Sequence, residues 1–273
     1  MIRLAVIIST ITAFLFFTID QSSAVNFYDG YRAVEGLYFL TYSSVYCGDK
    51  TTNDEGKTAI KNYEYHKIEE IFRLSYYKKS WVLTALVPLG YVHSGFYDVS
   101  SYGLGDIITG GGYFLPFNEF DVLPMFTIKL PTGEYDSRKS VNYGSNQYDI
   151  RTTLFIYKAI DKLSFDGAIQ YRLRLENPDT KVSPGDELRL ESLLGWQLSK
   201  TCKAGPSLSW MKSSNRKLDG IKVADSRRET FSVGGDIYFR LKPFSLTFTY
   251  LHDVYAKNTI QGDFFQIKTC YKF

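Results

Sequence analysis

The chain closes on QIKTCYKF, residues 266–273, and it stops on a bare phenylalanine. Counting back from the end, Phe273, Tyr271, Thr269, Ile267 and Phe265 form one series, and Lys272, Cys270, Lys268 and Gln266 form the other. A period of two describes a strand with one greasy and one polar face. Chain ends usually fray into solvent, so an ordered aromatic last residue needs a partner to hold it.

The same alternation recurs upstream. In FSVGGDIYFRL, Phe231, Val233, Gly235, Ile237, Phe239 and Leu241 oppose Ser232, Gly234, Asp236, Tyr238 and Arg240. In LSFDGAIQYRLRLE, Leu163, Phe165, Gly167, Ile169, Tyr171, Leu173 and Leu175 oppose Asp166, Gln170, Arg172, Arg174 and Glu176. In ELRLESLLGWQL, Leu188, Leu190, Leu194, Trp196 and Leu198 oppose Glu187, Arg189, Glu191 and Gln197. Helical spacing fits none of these. Twelve such segments are expected, at 34–44, 59–76, 80–90, 104–115, 120–130, 147–159, 163–176, 186–199, 203–212, 229–241, 243–255 and 261–273.

The connections sort by length. VYCGDKTTNDEGK, HSGFYDVSSYG, PTGEYDSRKSVNYGSN, NPDTKVSPGD and KSSNRKLDGIKVADSRR are long, DVYAKNTIQG is middling, and YYKKSW, LPFNE, IDKL, SKTC and KP between them are short. An antiparallel transmembrane β-barrel of the bacterial outer membrane sorts its loops this way, with tight turns towards the periplasm. An even strand number returns both termini to that side, and closure pairs every backbone N–H and C=O, as hydrocarbon demands.

The unusual aromatic content, 22 Tyr and 20 Phe, fits two interfacial belts. Outward-phase Tyr76, Trp81, Phe120, Phe165, Trp196, Phe239, Phe244, Tyr271 and Phe273 fall near the periplasmic ends, and Tyr42, Tyr91, Tyr148, Trp210, Phe231 and Tyr250 near the outer ends. The terminal strand then closes the barrel against the first. A secreted β-sandwich also alternates, but it does not account for loop sorting, belts and terminal Phe273 together. Pro124 conflicts with a closed wall, 59–76 changes phase between Tyr65 and Ile68 and should bulge there, and 106–112 reads in either phase.

The amino end is a targeting segment: basic Met1-Ile2-Arg3, the apolar run LAVIISTITAFLFF, then Ser22 and Ala24 at the positions a signal peptidase inspects. Residues 1–24 are therefore expected to be a cleaved signal peptide, with 25–273 a single barrel domain reached directly through the first strand; an uncleaved anchor is the alternative. Three cysteines, Cys47, Cys202 and Cys270, make no metal spacing and no disulfide framework. A net charge of +3 without a basic stripe gives no reason to expect nucleic acid.

The stretch GLGDIITGGGYFLP, VLPMFTIKLPTGEYDS and NYGSNQYDIRTTLFIY resembles the MetA-pathway phenol-degradation outer-membrane proteins. The resemblance rests on Gly103, Gly105 and Asp106 of GLGD, on Pro131, Thr132 and Gly133 of KLPTGEY, and on Gly144, Tyr148 and Asp149. It implies an outer-membrane barrel passing small molecules, with aromatic or hydrophobic compounds as the expected class.

Lumen-phase side chains are the candidate functional set: Asp149, Arg151, Asp166, Gln170, Arg172, Arg174, Glu187, Arg189, Glu191, Asp236 and Arg240. They form either a charged constriction or a salt-bridged filling. Mixed signs argue against strong ion selectivity. A lipid-modifying hydrolase would need a base beside a nucleophile, and His252 with Asp253 is the nearest approach. A structural or adhesive barrel would act through its polar loops. The expectation is a passive channel without cofactor, partnered by outer-membrane lipid and lipopolysaccharide and inserted by the assembly machinery through Phe273.

Overall fold

The computed structural model describes residues 24–273, so the expected signal segment, Ala24 apart, lies outside the described residues. Twelve antiparallel strands close a barrel: β1 (Gly36–Thr52), β2 (Thr58–Lys78), β3 (Trp81–Ser94), β4 (Val99–Leu104 and Ile108–Tyr113), β5 (Asp121–Lys129), β6 (Asp149–Ile160), β7 (Leu163–Arg174), β8 (Glu187–Gln197), β9 (Cys202–Ser213), β10 (Glu229–Leu241), β11 (Phe244–Lys257) and β12 (Ile260–Lys272). β1 pairs with β2 on one edge and β12 on the other, in the register Phe39↔Tyr271 and Thr41↔Thr269. Phe273 N–H donates to the Leu37 carbonyl at 3.0 Å, so the terminal phenylalanine is part of the seam that closes the wall.

On β3 the outward residues run from Trp81 to Tyr91. Ten residues at about 3.3 Å rise and roughly 40° tilt span about 25 Å, the height of an outer-membrane apolar band. Tyr42 is the exception among the expected belt residues. It is buried on the lumen face of β1, where its hydroxyl accepts from Arg73 Nη1 at 3.1 Å.

Two loops expected to be long are tight turns: at 53–57, because β1 and β2 continue past the membrane as a tall hairpin of 17 and 21 residues, and at 95–98, because β3 runs on to Ser94 and pairs there with Val99–Leu104 of β4. Their extensions turn Tyr46, Tyr63 and Tyr65 inward onto Val92, Leu251, Ile260 and Phe264, and that apolar layer keeps them alternating. The bulge sits lower in sequence than expected: the register shifts between Gly48 and Lys50, opposite Asn62 and Glu64, both at positive φ. Pro124 is tolerated because the β4–β5 ladder ends at Gly112↔Met125, which leaves it an unpaired flank on that side.

Candidate functional site

The lumen is filled by the chain's own amino-terminal segment. Residues 24–35 do not lead straight into the first strand; they lie inside the barrel. Asn26 Nδ2 donates to Thr249 Oγ1 at 2.9 Å and to Asp236 Oδ2 at 3.2 Å. Tyr28 N–H donates to Asp166 Oδ1 at 2.7 Å, and Lys268 Nζ donates to Asp29 Oδ1. Near the periplasmic mouth Arg32 N–H donates to Asp121 Oδ2 at 3.0 Å, and its guanidinium donates to the Leu115 carbonyl at 2.9 Å. Between these anchors Val25 and Phe27 pack on Ala168 and Leu193, and Lys203 Nζ lies 4.3 Å from the Tyr28 ring centroid. The Asn26 side-chain amide, the Tyr28 and Arg32 N–H groups and the Asp29 carboxylate thus each meet a partner on the barrel wall, and anchors of this kind hold an irregular backbone inside a barrel.

The eleven lumen residues inferred from alternation therefore divide. Asp166 and Asp236 are receptors for the segment, and Arg240 stands exposed at the periplasmic mouth beside Tyr28 and Tyr238. Asp149, Arg172, Arg174, Glu187 and Arg189 are buried. Glu187 accepts from Arg174 at 2.8 Å, from Arg172 at 3.3 Å and from Arg228, which reaches in from the outer loop. Asp149 pairs with Lys129 Nζ at 2.9 Å, and Arg189 lies 3.8 Å from Glu191. Arg151, Gln170 and Glu191 line open space. Arg228, Lys129, Asp29 and Lys268 belong to the set as well: Lys268 stands in the polar series of the terminal strand and Lys129 at the end of the segment 120–130, whereas Asp29 and Arg228 lie outside the expected strands and carry no alternation to mark them.

The glycine motifs converge on one buried knot. β4 breaks at 105–107, and the loop 130–148 folds into the break: Leu130 N–H donates to the Ile107 carbonyl at 2.8 Å, and Glu134 N–H to the Leu104 carbonyl at 2.7 Å. Asp106 sits at the centre, accepting from Gly133 N–H at 3.0 Å, from Ser145 N–H at 2.9 Å and from the Ser145 hydroxyl. Thr132 Oγ1 accepts from Ile107 N–H at 2.9 Å, just after Pro131. A Cβ on Gly133 would stand 2.7 Å from the Gly105 carbonyl carbon and 2.9 Å from Gly144 Cα, so two backbones cross where only glycine fits. Gly103, at φ +139°, makes the turn into the break. These residues splice the wall and pin a loop over the lumen. Outside the wall, Arg138 beside Asp136 holds that carboxyl down at about 2.

Among the described residues two cavities adjoin the segment. The outer one, about 230 Å³, lies between the tip of the segment and β2–β8, with Lys67, Glu69, Arg151 and Gln170 among its polar walls and Ile71, Leu86, Ile108 and Phe155 among its apolar ones. The periplasmic one, about 480 Å³, is lined by Tyr28, Tyr31, Tyr38, Tyr77, Tyr157 and Tyr238 among others. Asp29 and Arg73 border both. The Asp29–Lys268 pair and the Arg73–Tyr42 contact thus mark the neck between an outer and an inner chamber.

These features define a class: a twelve-stranded outer-membrane barrel whose lumen is narrowed by its own amino-terminal segment. The chain belongs to the family described as "Putative MetA-pathway of phenol degradation", whose profile matches residues 48–269. Among solved structures it is similar to the COG4313 outer membrane channel from Pseudomonas putida F1, with TM-score 0.82 and 15% identity over 93% of this chain and 100% of that one. The translocator domain of the autotransporter NalP from Neisseria meningitidis is similar at TM-score 0.54 and 11% identity, over 89% and 90% of the two chains. The β domain of the Bordetella autotransporter BrkA follows at TM-score 0.53 and 11% identity, over 88% and 100%. No curated protein sequence matches the chain.

Proposed function

We propose that the protein is a passive outer-membrane channel for small molecules, and that its permeants are compact compounds combining an aromatic or aliphatic body with a polar group. The observation that carries this reading is the pair of chambers meeting at Asp29 and Arg73. Tyrosine rings and aliphatic side chains offer a surface for an apolar body, and Lys67, Arg151 and Gln170 offer hydrogen bonds to a hydroxyl or carboxylate. Diffusion down a gradient uses no cofactor. The similarity to a solved outer-membrane channel and the family's link to phenol degradation favour the same reading.

The proposal includes export by a signal peptide cleaved after Ala24, which would leave the amino group of Val25 inside the lumen. The intact mass of protein extracted from outer membranes tests that point directly. The hydrolase alternative is weaker, because His252 turns to Asp263 at 2.9 Å while Asp253, its sequence neighbour, faces inward and accepts from Ser232 and Tyr46. The loop-based alternative has no chamber-forming role for Asp29.

The test is single-channel conductance of the mature protein in planar bilayers, with phenol and simple aromatic acids added on either side. Discrete openings that those compounds block or modulate are expected. A folded barrel that stays silent, both intact and with residues 25–32 deleted, refutes the channel.

A further inference from the structure

The chain contains three histidines, at 66, 93 and 252, and they are far apart in sequence. In the barrel all three stand on one row. His93 pairs with His66 across β3–β2, His66 with Cys47 across β2–β1, Cys47 with Asp263 across β1–β12, and Asp263 with His252 across β12–β11. Residues directly opposed across antiparallel strands point to the same face. That face is outward here, because the residues flanking each one, Val92 and Ser94, Tyr65, Tyr46, Phe264, Leu251 and Asp253, are buried in the lumen. The row lies one residue pair beyond the belt of Tyr91, Ile68, Val45, Phe265 and Tyr250, and therefore just above the apolar band, where water and ions reach it.

We propose that this row is a binding site for a divalent transition metal of the zinc–cobalt–nickel type, with His66, Cys47 and Asp263 as ligands and a fourth position open to water. Imidazole, thiolate and carboxylate are the donors such ions prefer, and carbonyl-rich calcium or magnesium chemistry is absent from the row. Opposed Cβ atoms are about 4.5–5.5 Å apart, and metal bonds of about 2.0–2.3 Å let neighbouring side chains meet one ion lying over the central strand. Cys47 is a free thiol on that central strand. Asp263 is already oriented: Tyr250 OH donates to its Oδ1 at 2.7 Å and His252 Nδ1 lies 2.9 Å from the same oxygen, which leaves Oδ2 for the metal. Outer-shell partners of this kind fix a ligating carboxylate. His93 is held 3.4 Å from Ser100 and flanks the site. Among the described residues no group of three such donors stands in an arrangement that could hold a metal ion, so binding requires His66 and Cys47 to rotate about their side-chain bonds, on a backbone that the ladder keeps fixed.

The experiment uses tag-free mature protein refolded in detergent, with Cys202→Ser and Cys270→Ser so that Cys47 is the one thiol. Cobalt(II) is titrated and the near-ultraviolet thiolate-to-cobalt absorption followed. The expected result is saturation at one equivalent, reversal by zinc, loss of the band in Cys47→Ser, and affinity at least tenfold weaker in His66→Ala and Asp263→Ala. His252→Ala, which removes one of the carboxylate's two partners and no ligand, is expected to weaken binding about tenfold. Independently of any variant at the site, zinc should slow alkylation of Cys47 by iodoacetamide at least tenfold. No band together with an unchanged alkylation rate at millimolar zinc overturns the proposal. So does a band that survives both His66→Ala and Asp263→Ala, which would report a lone thiol.

Discussion

Replacing Asp106 with alanine should open the loop 130–148 while leaving the barrel closed. Asp106 accepts from two backbone N–H groups, Gly133 at 3.0 Å and Ser145 at 2.9 Å, and from the Ser145 hydroxyl, and it is 6% exposed. Removing the acceptor leaves the two amides buried without partners, at about 1–3 kcal/mol each, so the closed loop loses roughly 2–6 kcal/mol. Lys129 is not stranded, because it keeps Asp149 at 2.9 Å. The β4 ladder also survives, since Ile108–Tyr113 remains paired to β3 and its neighbour β5 remains paired to β6. The loss is therefore local and appears as easier opening, not as global unfolding. Amide hydrogen exchange read by mass spectrometry over 130–148 is the assay, and at about 1.4 kcal/mol per decade a central value of about 4 kcal/mol accelerates exchange roughly a thousandfold. Asp106→Asn, which keeps one acceptor oxygen, should fall between the two. Exchange within threefold of the parent in Asp106→Ala would refute the claim that this carboxylate holds the knot.

Gly133→Ala should disturb the same loop more severely, because its Cβ meets backbone atoms at 2.7–2.9 Å that no rotamer change relieves; faster exchange over both 103–107 and 130–148 checks it. Deleting residues 25–32 removes the anchors on Asp166, Asp236 and Lys268 and should raise single-channel conductance severalfold, with the boiling-dependent gel shift retained. Glu187→Gln leaves Arg172, Arg174 and Arg228 facing one another without their shared anion, a loss of about 3–5 kcal/mol that urea unfolding would register. For Asp136 the carboxyl is depressed from 3.8 to about 2 by Arg138, so the contact is fully present above the ordinary carboxylate pKa and disappears as pH falls through about 2. The Asp136 side-chain NMR shift should follow that titration, and Arg138→Ala should return it towards the ordinary value.

The wall was legible in the sequence because alternation is a local signal: a residue two positions away reports the same face, and hydrocarbon on one side makes the signal strict. The ends of the strands were less legible, since Tyr46, Tyr63 and Tyr65 keep alternating beyond the membrane to serve an apolar layer of the lumen that only the closed barrel assembles. Tyr42 shows the same limit from the other direction. An aromatic at the right height reads as a belt residue until register gives it Arg73 as a partner. The glycine motifs were visible as sequence and opaque as structure, because Gly105, Gly133 and Gly144 meet across a break in β4 and their contact exists only in three dimensions.

The amino-terminal segment did carry a signal: Asn26, Asp29 and Arg32 interleave with Phe27, Tyr28 and Tyr31, a polar–aromatic density that a mere tether to the first strand has no use for. The histidine row carried none. Its five donors lie on five strands, and sequence spacing, the usual evidence for a metal site, is uninformative wherever closure rather than a turn brings the ligands together. Cys47 and Asp263 become neighbours through the same β1–β12 seam that pairs Phe39 with Tyr271 and fastens the terminal phenylalanine. A barrel that failed to close would lose both at once. Loss of cobalt binding and loss of the boiling-dependent gel shift should therefore go together in any variant that opens that seam, and a variant that lost closure yet still bound cobalt with the thiolate band would separate them and place the metal elsewhere.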